Sequence, residues 1–340
     1  MEKFKSFITE AKKSYRLLII SHDDSDDPNE TGNLLRDNAE DLNIEVLLAE
    51  FIGSYIDVKG NKLFINTFPV PKNSAMTFPD GKEDVKYESP FELNPENTLI
   101  MVRGLGANIS TGAKSWYDMI EDLEYRGFNI INTNACHDMC VDKVVTQIIF
   151  ERNKFKTPKT VLITHKEGSE DAVKKLDFKF PLILKTGNGS RGVGVILVES
   201  LPTLHSMVQL IYRENKFIDL LIQEYIENNY DVRVIVCNDE IVGTMQRPVI
   251  AGDFRSNVSQ GSKPKQIELT KLEKSESLRA SKAVKGKLVG VDFIPAKNRE
   301  KDLPYMIEIN STPGLIGIEE IHKGITNKIL NSFMNPDNWT

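Results

Sequence analysis

Residues 180–198 read Phe-Pro-Leu-Ile-Leu-Lys-Thr-Gly-Asn-Gly-Ser-Arg-Gly-Val-Gly-Val-Ile-Leu-Val, and no other stretch limits the possible folds so tightly. An apolar run ends at Lys185, a loop spans 187–194, and a second, β-branched run covers 195–198. Four glycines (Gly187, Gly189, Gly192, Gly194) let the backbone come close to a bulky ligand and turn several N–H groups toward it. Lys185 stands at the mouth of the loop, where a phosphate would lie. The spacing Gly187-x-Gly189-x-x-Gly192 matches the dinucleotide fingerprint, but that fingerprint needs a helix after its third glycine. Here Val193, Val195, Ile196 and Val198 predict a strand. No Gly-Lys-Ser/Thr closes the loop, which excludes a Walker phosphate loop. A protein kinase carries its lysine after the glycine loop, and the sequence has no His-Arg-Asp or Asp-Phe-Gly. What remains is a hairpin that covers nucleotide phosphates or, taken alone, an ordinary flexible hairpin.

With 340 residues, 40% hydrophobic and 27% charged, the chain suits two or three globular domains. Net charge is −6 and the basic residues are dispersed, which argues against a nucleic-acid partner. Cys136, Cys140 and Cys237 make no even disulfide framework and fit a reducing compartment. The charged start lacks an apolar signal core, and no apolar run approaches the roughly 18 residues of a membrane span. The expectation is a cytoplasmic enzyme or binding protein without a membrane partner; a homo-oligomer is compatible with it.

Residues 1–135 read as an α/β unit. A helix over about 3–13 and strands at 16–20, 44–49, 98–102 and 128–131 alternate with helices ending near Leu42 and over about 112–126. Such alternation predicts a parallel sheet, whose ligands gather at the carboxyl ends of its strands. That rule singles out His22 and Arg103, each equally readable as a cap or a surface residue. The acidic turn 21–29 lacks the glycine and terminal glutamate of an EF-hand loop and reads as solvated. The proline-rich stretch 66–97 reads as a long, poorly ordered excursion.

Two further segments follow, 136–218 and 219–335. Cys136, His137 and Cys140 lack a second ligand pair at zinc spacing, so a structural role is expected. Val141, Val144, Val145, Ile148 and Ile149 recur as a helical apolar stripe with Lys143 opposite. A strand at 160–164, a helix near 169–176, the glycine hairpin and a helix over 202–214 form a small α+β unit. Residues 220–226 make a strand that turns polar at its end, where extended backbone would meet an adenine edge. Strands 231–237 and 241–247 form a hairpin with Asp231 and Arg233 on one face.

Carboxylates near the C-terminus supply the second strong signal. Asp292 faces away from Val291 and Phe293, and in Tyr305-Met-Ile-Glu-Ile-Asn310 alternation puts Ile307 and Ile309 on one face, Glu308 and Asn310 on the other. Two residues along a strand are roughly 6.6 Å apart, so their side chains can converge on one cation. Three oxygen donors with open positions suit Mg²⁺ completed by substrate phosphates, although alternating polar residues also line solvent-facing strands. Together with the glycine hairpin they make the two halves of a nucleotide site.

From about Cys140 to Glu320 the chain resembles the ATP-grasp superfamily, in particular its RimK-like branch of α-L-glutamate ligases. The resemblance is carried by Val141-Asp-Lys143, Pro181-Leu-Ile-Leu-Lys185, Gly189-Ser-Arg-Gly-Val-Gly-Val195, Gln223-Glu-Tyr-Ile226, Asp231-Val-Arg233, Gly252-Asp-Phe-Arg-Ser-Asn257, Gly290-Val-Asp-Phe293 and Glu308-Ile-Asn-Ser-Thr-Pro-Gly314. It implies an ATP-grasp fold, two α+β subdomains (136–218 and 219–335) clamping ATP, preceded by a Rossmann-like domain over 1–135. It implies that Lys143 and Lys185 hold phosphates beneath Gly189, Ser190 and Gly192. Glu224, Tyr225 and Ile226 then read adenine, and Asp231 helps to place the nucleotide. Arg255, Ser256 and Asn257 form a phosphate-side triplet, with Arg255 and Arg247 at the reacting centre. Asp292, Glu308 and Asn310 hold Mg²⁺ or Mn²⁺, and Arg103, with Asn257, lies near substrate. The link Glu227-Asn-Asn-Tyr230 is shorter than the family's usual one, and the lid at Gly261-Ser262-Lys263 is poorer in glycine.

The implied reaction is ATP-dependent amide formation between an amino acid and a carboxylate on a peptide, protein or metabolite, through an acyl phosphate. A phosphotransferase with a stable phosphorylated product, and a nucleotide-binding module without chemistry, are the alternatives.

Overall fold

The structure, a computed structural model, describes residues 15–21, 30–50, 54–60, 62–67, 91–103, 114–177, 179–187, 194–249, 263–335 and 338. The expected helix at 3–13, His22 with its acidic turn, Gly189, Ser190, Gly192, Arg255, Ser256 and Asn257 lie outside the described residues.

The first unit comprises β1 (Arg16–Ser21), α1 (Glu30–Asp41), β2 (Glu45–Glu50), β3 (Ser54–Lys59), β4 (Lys62–Thr67), β5 (Phe91–Leu93), β6 (Thr98–Val102), α2 (Lys114–Tyr125) and β7 (Asn129–Ile131). Strand β1 pairs in parallel with β2 and β6, and β6 with β7, giving the order β2-β1-β6-β7. The continuous apolar run in β1 is what a strand covered on both faces requires. Leu17 and Ile19 pack with Leu35 and Ala39 of α1, while Leu18 and Ile20 pack with Ile120 and Leu123 of α2. Strands β3, β4 and β5 form a small antiparallel sheet. The excursion expected over 66–97 is therefore structured at both ends, because Ile65 and Leu93 bury themselves against the α2 side of the core.

Two helices follow, α3 (Asn134–Val141) and α4 (Lys143–Arg152). Asp142, extended at φ −96° and ψ 115°, ends α3 and caps α4 by accepting from the backbone N–H of Val144 at 2.7 Å. This break resets the helical face and undoes the expected single stripe. Thr146, Ile149 and Phe150 are buried, whereas Ile148 is 43% exposed.

The middle unit comprises β8 (Thr160–Ile163), α5 (Gly168–Lys175), β9 (Leu182–Thr186), β10 (Val195–Val198), α6 (Leu201–Glu214) and β11 (Leu220–Glu224), with antiparallel order β10-β9-β11-β8. Leu182, Leu184, Val198, Leu220 and Ile222 pack on Ala172 and Val173 of α5 and on Leu204 and Val208 of α6. By alternation the opposite face carries Thr160, Ile183, Lys185, Leu221 and Gln223.

The last unit comprises β12 (Tyr230–Cys237), β13 (Glu240–Pro248), β14 (Lys265–Gln266), α7 (Lys271–Ala283), β15 (Leu288–Ile294), β16 (Tyr305–Asn310), α8 (Ile316–Ile321) and α9 (Ile325–Met334). Its antiparallel sheet runs β14-β13-β12-β15-β16. Val232, Val234, Val236, Val291 and Phe293 share a core with Ala280 of α7 and with Cys136, Cys140, Ile149 and Phe150. Helices α3 and α4 thus precede the middle sheet in sequence but pack on the last one. On the other face Ile235, Cys237 and Met245 join α8 and α9 and the core of the first unit. Asp231 and Arg233, earlier on that same face of β12, are left for the site.

Candidate active site

The glycine loop joins β9 and β10 as an antiparallel hairpin, with Lys185 opposite Val195. Gly194 has φ +77°, and a Cβ there would lie 2.5 Å from Thr186 Oγ1, so the hairpin closes only on glycine. At its other end Gly187 accepts from the backbone N–H of Lys143 at 3.0 Å, which seats the first residue of α4 beside the loop. Half-buried Lys185 feels both Lys143 and Glu308. Burial lowers the pKa of its ammonium, Glu308 opposes that shift and the like charge of Lys143 adds to it, with a net result of about 8. Two lysines held together against their repulsion are what an anion site presents before its anion arrives.

Across the last sheet charged groups form rows set by strand register. Asp231 stands opposite Arg247, Arg233 opposite Asp292, and Asp292 opposite Glu308. Arg247 donates to Asp231 from Nε at 2.6 Å and from Nη2 at 2.7 Å. Arg233 grips Asp292 in the same bidentate way at 2.7 and 2.6 Å, and Arg247 Nη2 adds a contact at 2.9 Å. Asp292 is 4% exposed. Burial disfavours its charge, but Arg233 and Arg247 more than offset this and hold its carboxyl down at about 2. For buried Arg247 the same two aspartates outweigh desolvation and raise its pKa.

Glu308 and Asn310 share a face as expected, but the partner face differs. A register shift at Asp292/Phe293 pairs Phe293 with Met306 and leaves Ile307 extra. Met306 and Ile309 are buried at 1% and 0% exposure and Ile307 is not, so the bulge replaces Ile307 in the core with Met306. Gly290, opposite Asn310, leaves room for the chain beyond the strand, since a Cβ there would meet Pro313 Cβ at 3.0 Å.

The donors suit a small hard cation: two carboxylates on facing strands and an amide two residues on, all through oxygen. Among the described residues Asp292 Oδ2 accepts two hydrogen bonds and Oδ1 one, so Oδ1 keeps a lone pair for a cation. Asn310 Oδ1 accepts from the Thr312 N–H at 2.9 Å, which orients the amide. No group of three or more His, Cys, Asp and Glu among the described residues is arranged to hold a metal by itself.

The turn after β16 is gripped by the first unit. Arg103, at the end of β6 and 5% exposed, donates from Nη2 to the carbonyl of Pro313. Asn132 donates to the carbonyls of Leu288 and Ser311 at 2.6 and 2.7 Å and accepts from the N–H of Lys287 at 2.7 Å. His137 Nδ1 lies 2.9 Å from Ser311 Oγ. Burial and the nearby Arg103 push its pKa down to about 4, leaving the imidazole neutral. Cys136 and Cys140, its neighbours in the motif, lie in the core. Glu224, Tyr225 and Ile226 end β11 and lead into β12, with the backbone N–H of Glu224 bonded to the carbonyl of Lys159 at 2.8 Å. Sequence reasoning missed Asn132, Thr160 and the side chain of Gln223, and the only signal for Gln223 is its place on the Lys185 face of a strand.

Residues 140–333 match the RimK-like ATP-grasp domain. A probable alpha-L-glutamate ligase of Coxiella burnetii (strain Dugway 5J108-111) is 31% identical over 245 residues, which cover 72% of this chain and 74% of that protein. Among solved structures, D-alanyl-alanine synthetase A from Vibrio cholerae O1 biovar eltor str. N16961 aligns with TM-score 0.67 at 12% identity, over 96% of this chain and 99% of the other. The ATP-grasp ligase PsnB, solved with a phosphomimetic variant of its minimal precursor, Mg and ADP, aligns with TM-score 0.63 at 13% identity, over 93% and 98%. The chain belongs to the RimK-like ATP-grasp family and is an ATP-dependent carboxylate–amine ligase.

Proposed function

We propose that this ligase joins the amine of an amino acid such as glutamate to a carboxylate on a peptide, protein or small metabolite. The observation that carries the reading is the seating of Lys143 beside the glycine loop, its backbone N–H bonded to the carbonyl of Gly187 at 3.0 Å, next to Lys185, whose charge also feels Glu308. The names of the Coxiella relative and of the precursor-bound PsnB favour an amino acid and a peptide as substrates. Residues 1–135, 136–218 and 219–335 are assigned to a pre-ATP-grasp unit and the two jaws of the clamp.

Lys143 and Lys185 neutralise phosphate oxygens, and the glycine hairpin with Gly189, Ser190 and Gly192 covers them. The backbone of Glu224, Tyr225 and Ile226 reads the adenine edge, and the Asp231–Arg247 pair sets the position of the nucleotide. Arg255, Ser256 and Asn257 complete the phosphate side, and Arg103, which donates to the carbonyl of Pro313, holds the turn after β16 on the substrate side. Asp292, Glu308 and Asn310 would hold Mg²⁺, with Mn²⁺ as substitute; when bound, the ion supplies charge neutralisation to the phosphates. An oxygen of the acceptor carboxylate attacks the γ-phosphorus, the bond to the β-phosphate oxygen breaks, and ADP leaves. The amine then attacks the acyl carbon, the C–O bond to phosphate breaks, and the nitrogen loses a proton. Water would hydrolyse the acyl phosphate, so the hairpin and Arg247 keep the centre closed and charged during both steps.

Mass spectrometry of products from ATP, Mg²⁺ and pools of amino acids and carboxylate acceptors tests this. The expected product is an amide adduct with stoichiometric ADP and phosphate. A stable phosphorylated product formed without any amine would replace ligation by phosphoryl transfer.

A further inference from the structure

The ammonium of Lys185 donates to Gln223 Oε1 at 2.6 Å. Gln223 is 5% exposed, and its Nε2 donates to Thr160 Oγ1 at 2.7 Å. The Thr160 hydroxyl in turn donates to the carbonyl of Pro158 at 2.9 Å. The direction of this chain admits one solution. An ammonium has three donors and no acceptor, so the amide must present its oxygen to Lys185 and its NH₂ away. The carbonyl of Pro158 can only accept, so the hydroxyl proton points to it and the hydroxyl oxygen is left to receive Nε2. The chain runs across the sheet along register: Gln223 stands opposite Thr160 on β8 and opposite Ile183 on β9, two residues from Lys185.

We infer that Gln223 is the positioning residue for Lys185 and that Thr160 locks its amide in the one orientation that accepts from the ammonium. Lys185 is a long side chain that lies beside a like charge, Lys143. Without a fixed acceptor it would swing toward solvent or toward Glu308 and leave the phosphate position. An acceptor tied to the rigid middle sheet keeps the Nζ near the mouth of the hairpin while its remaining two N–H groups stay free to point at phosphate oxygens. Thr160 sits one strand beyond Gln223 and acts only through it.

This inference rests on Lys185 holding ATP phosphate, and the experiment separates the two. Initial rates are measured against ATP and against the amine for Lys185→Ala, Thr160→Val, Thr160→Ser and Gln223→Met, with thermal unfolding of each. Thr160→Val keeps the volume but removes the acceptor, so a buried NH₂ is left unpaired and the amide is free to turn its donors toward the ammonium. The expected result is a roughly ten-fold rise in KM for ATP in Thr160→Val and in Gln223→Met, the size of one lost hydrogen bond to a charged group. KM for the amine should stay within about two-fold, as expected when only nucleotide binding is weakened. Thr160→Ser, which retains the hydroxyl, should restore the parental KM for ATP. Parental KM for ATP in Thr160→Val and Gln223→Met, beside a large rise in Lys185→Ala, would overturn the positioning role and leave the phosphate role of Lys185 intact. A fall in thermal stability with both KM values unchanged, or equal defects in Thr160→Ser and Thr160→Val, would also overturn it. Parental kinetics in Lys185→Ala would remove the phosphate reading itself.

Discussion

Replacing Asp292 by asparagine separates two roles that this carboxylate combines, because the structure assigns it weight even before any cation binds. Asp292 accepts both ends of the Arg233 guanidinium and one end of Arg247 while only 4% exposed. An asparagine keeps the shape but places an NH₂ against an arginine N–H and removes the charge. Breaking a buried ion pair by deleting one partner costs about 3–5 kcal/mol. Arg247 retains Asp231, so the low end, about 3 kcal/mol, applies. The depressed carboxyl gives a similar size: moving from 3.8 to about 2 corresponds to about 2.5 kcal/mol of preference for the charged form. Urea unfolding followed by circular dichroism, without nucleotide or divalent ions, should therefore place the midpoint of Asp292→Asn well below the parent. Among the described residues Glu308 pairs with no arginine, so Glu308→Gln should move the midpoint by less than about 1 kcal/mol equivalent. A carboxylate kept only for a cation would give the opposite pattern, since removing an unneeded negative charge leaves the empty protein as stable or more so. Equal midpoints for Asp292→Asn and the parent would refute the reasoning.

Acidification should destabilise the protein in two successive ranges. His137 holds its proton only below about 4 when folded, against 6.5 ordinarily, so the unfolded chain is protonated first and stability falls as pH drops through that interval. Asp292 stays ionised to about 2 when folded, so its share is present above 3.8 and is lost as pH falls toward 2. Unfolding midpoints against pH should flatten over the upper interval in His137→Gln. Gly243→Ala should cost about 1–3 kcal/mol, because its Cβ would lie 2.4 Å from Ile325 Cδ1 and 2.8 Å from Ile318 Cδ1 where the last sheet meets α8 and α9; thermal unfolding reads this directly. Lys185→Ala and Glu308→Ala should lower amine-dependent ADP release by at least about 100-fold with native circular dichroism, as loss of a charge facing transferring phosphate does. Excess chelator should stop turnover and added Mg²⁺ should restore it, read by coupled ADP release.

The parallel sheet of the first unit, the glycine hairpin, and the strands that carry Asp231, Asp292 and Glu308 were legible because each rests on local periodicity and turn chemistry. Helix α7 escaped because it is mostly polar: its mark is the Thr270–Glu273 capping box, not an apolar stripe. The displaced face of β16 escaped because a bulge adds one residue without leaving a trace in the sequence.

From the residues alone came the pieces of the site: lysine beside a glycine loop, and oxygen donors alternating on two strands. Covalent spacing governs both, and spacing is local. Which pieces meet was settled by packing between units distant in the chain. The break at Asp142 lets the first residue of α4, Lys143, bond the glycine loop at Gly187, strand register and paired arginines set Arg233 and Arg247 on Asp292, and Asn132 with His137 reaches across more than 150 residues to hold the turn behind Asn310. Those contacts depend on which buried faces find each other, a property of the folded core and not of neighbouring residues.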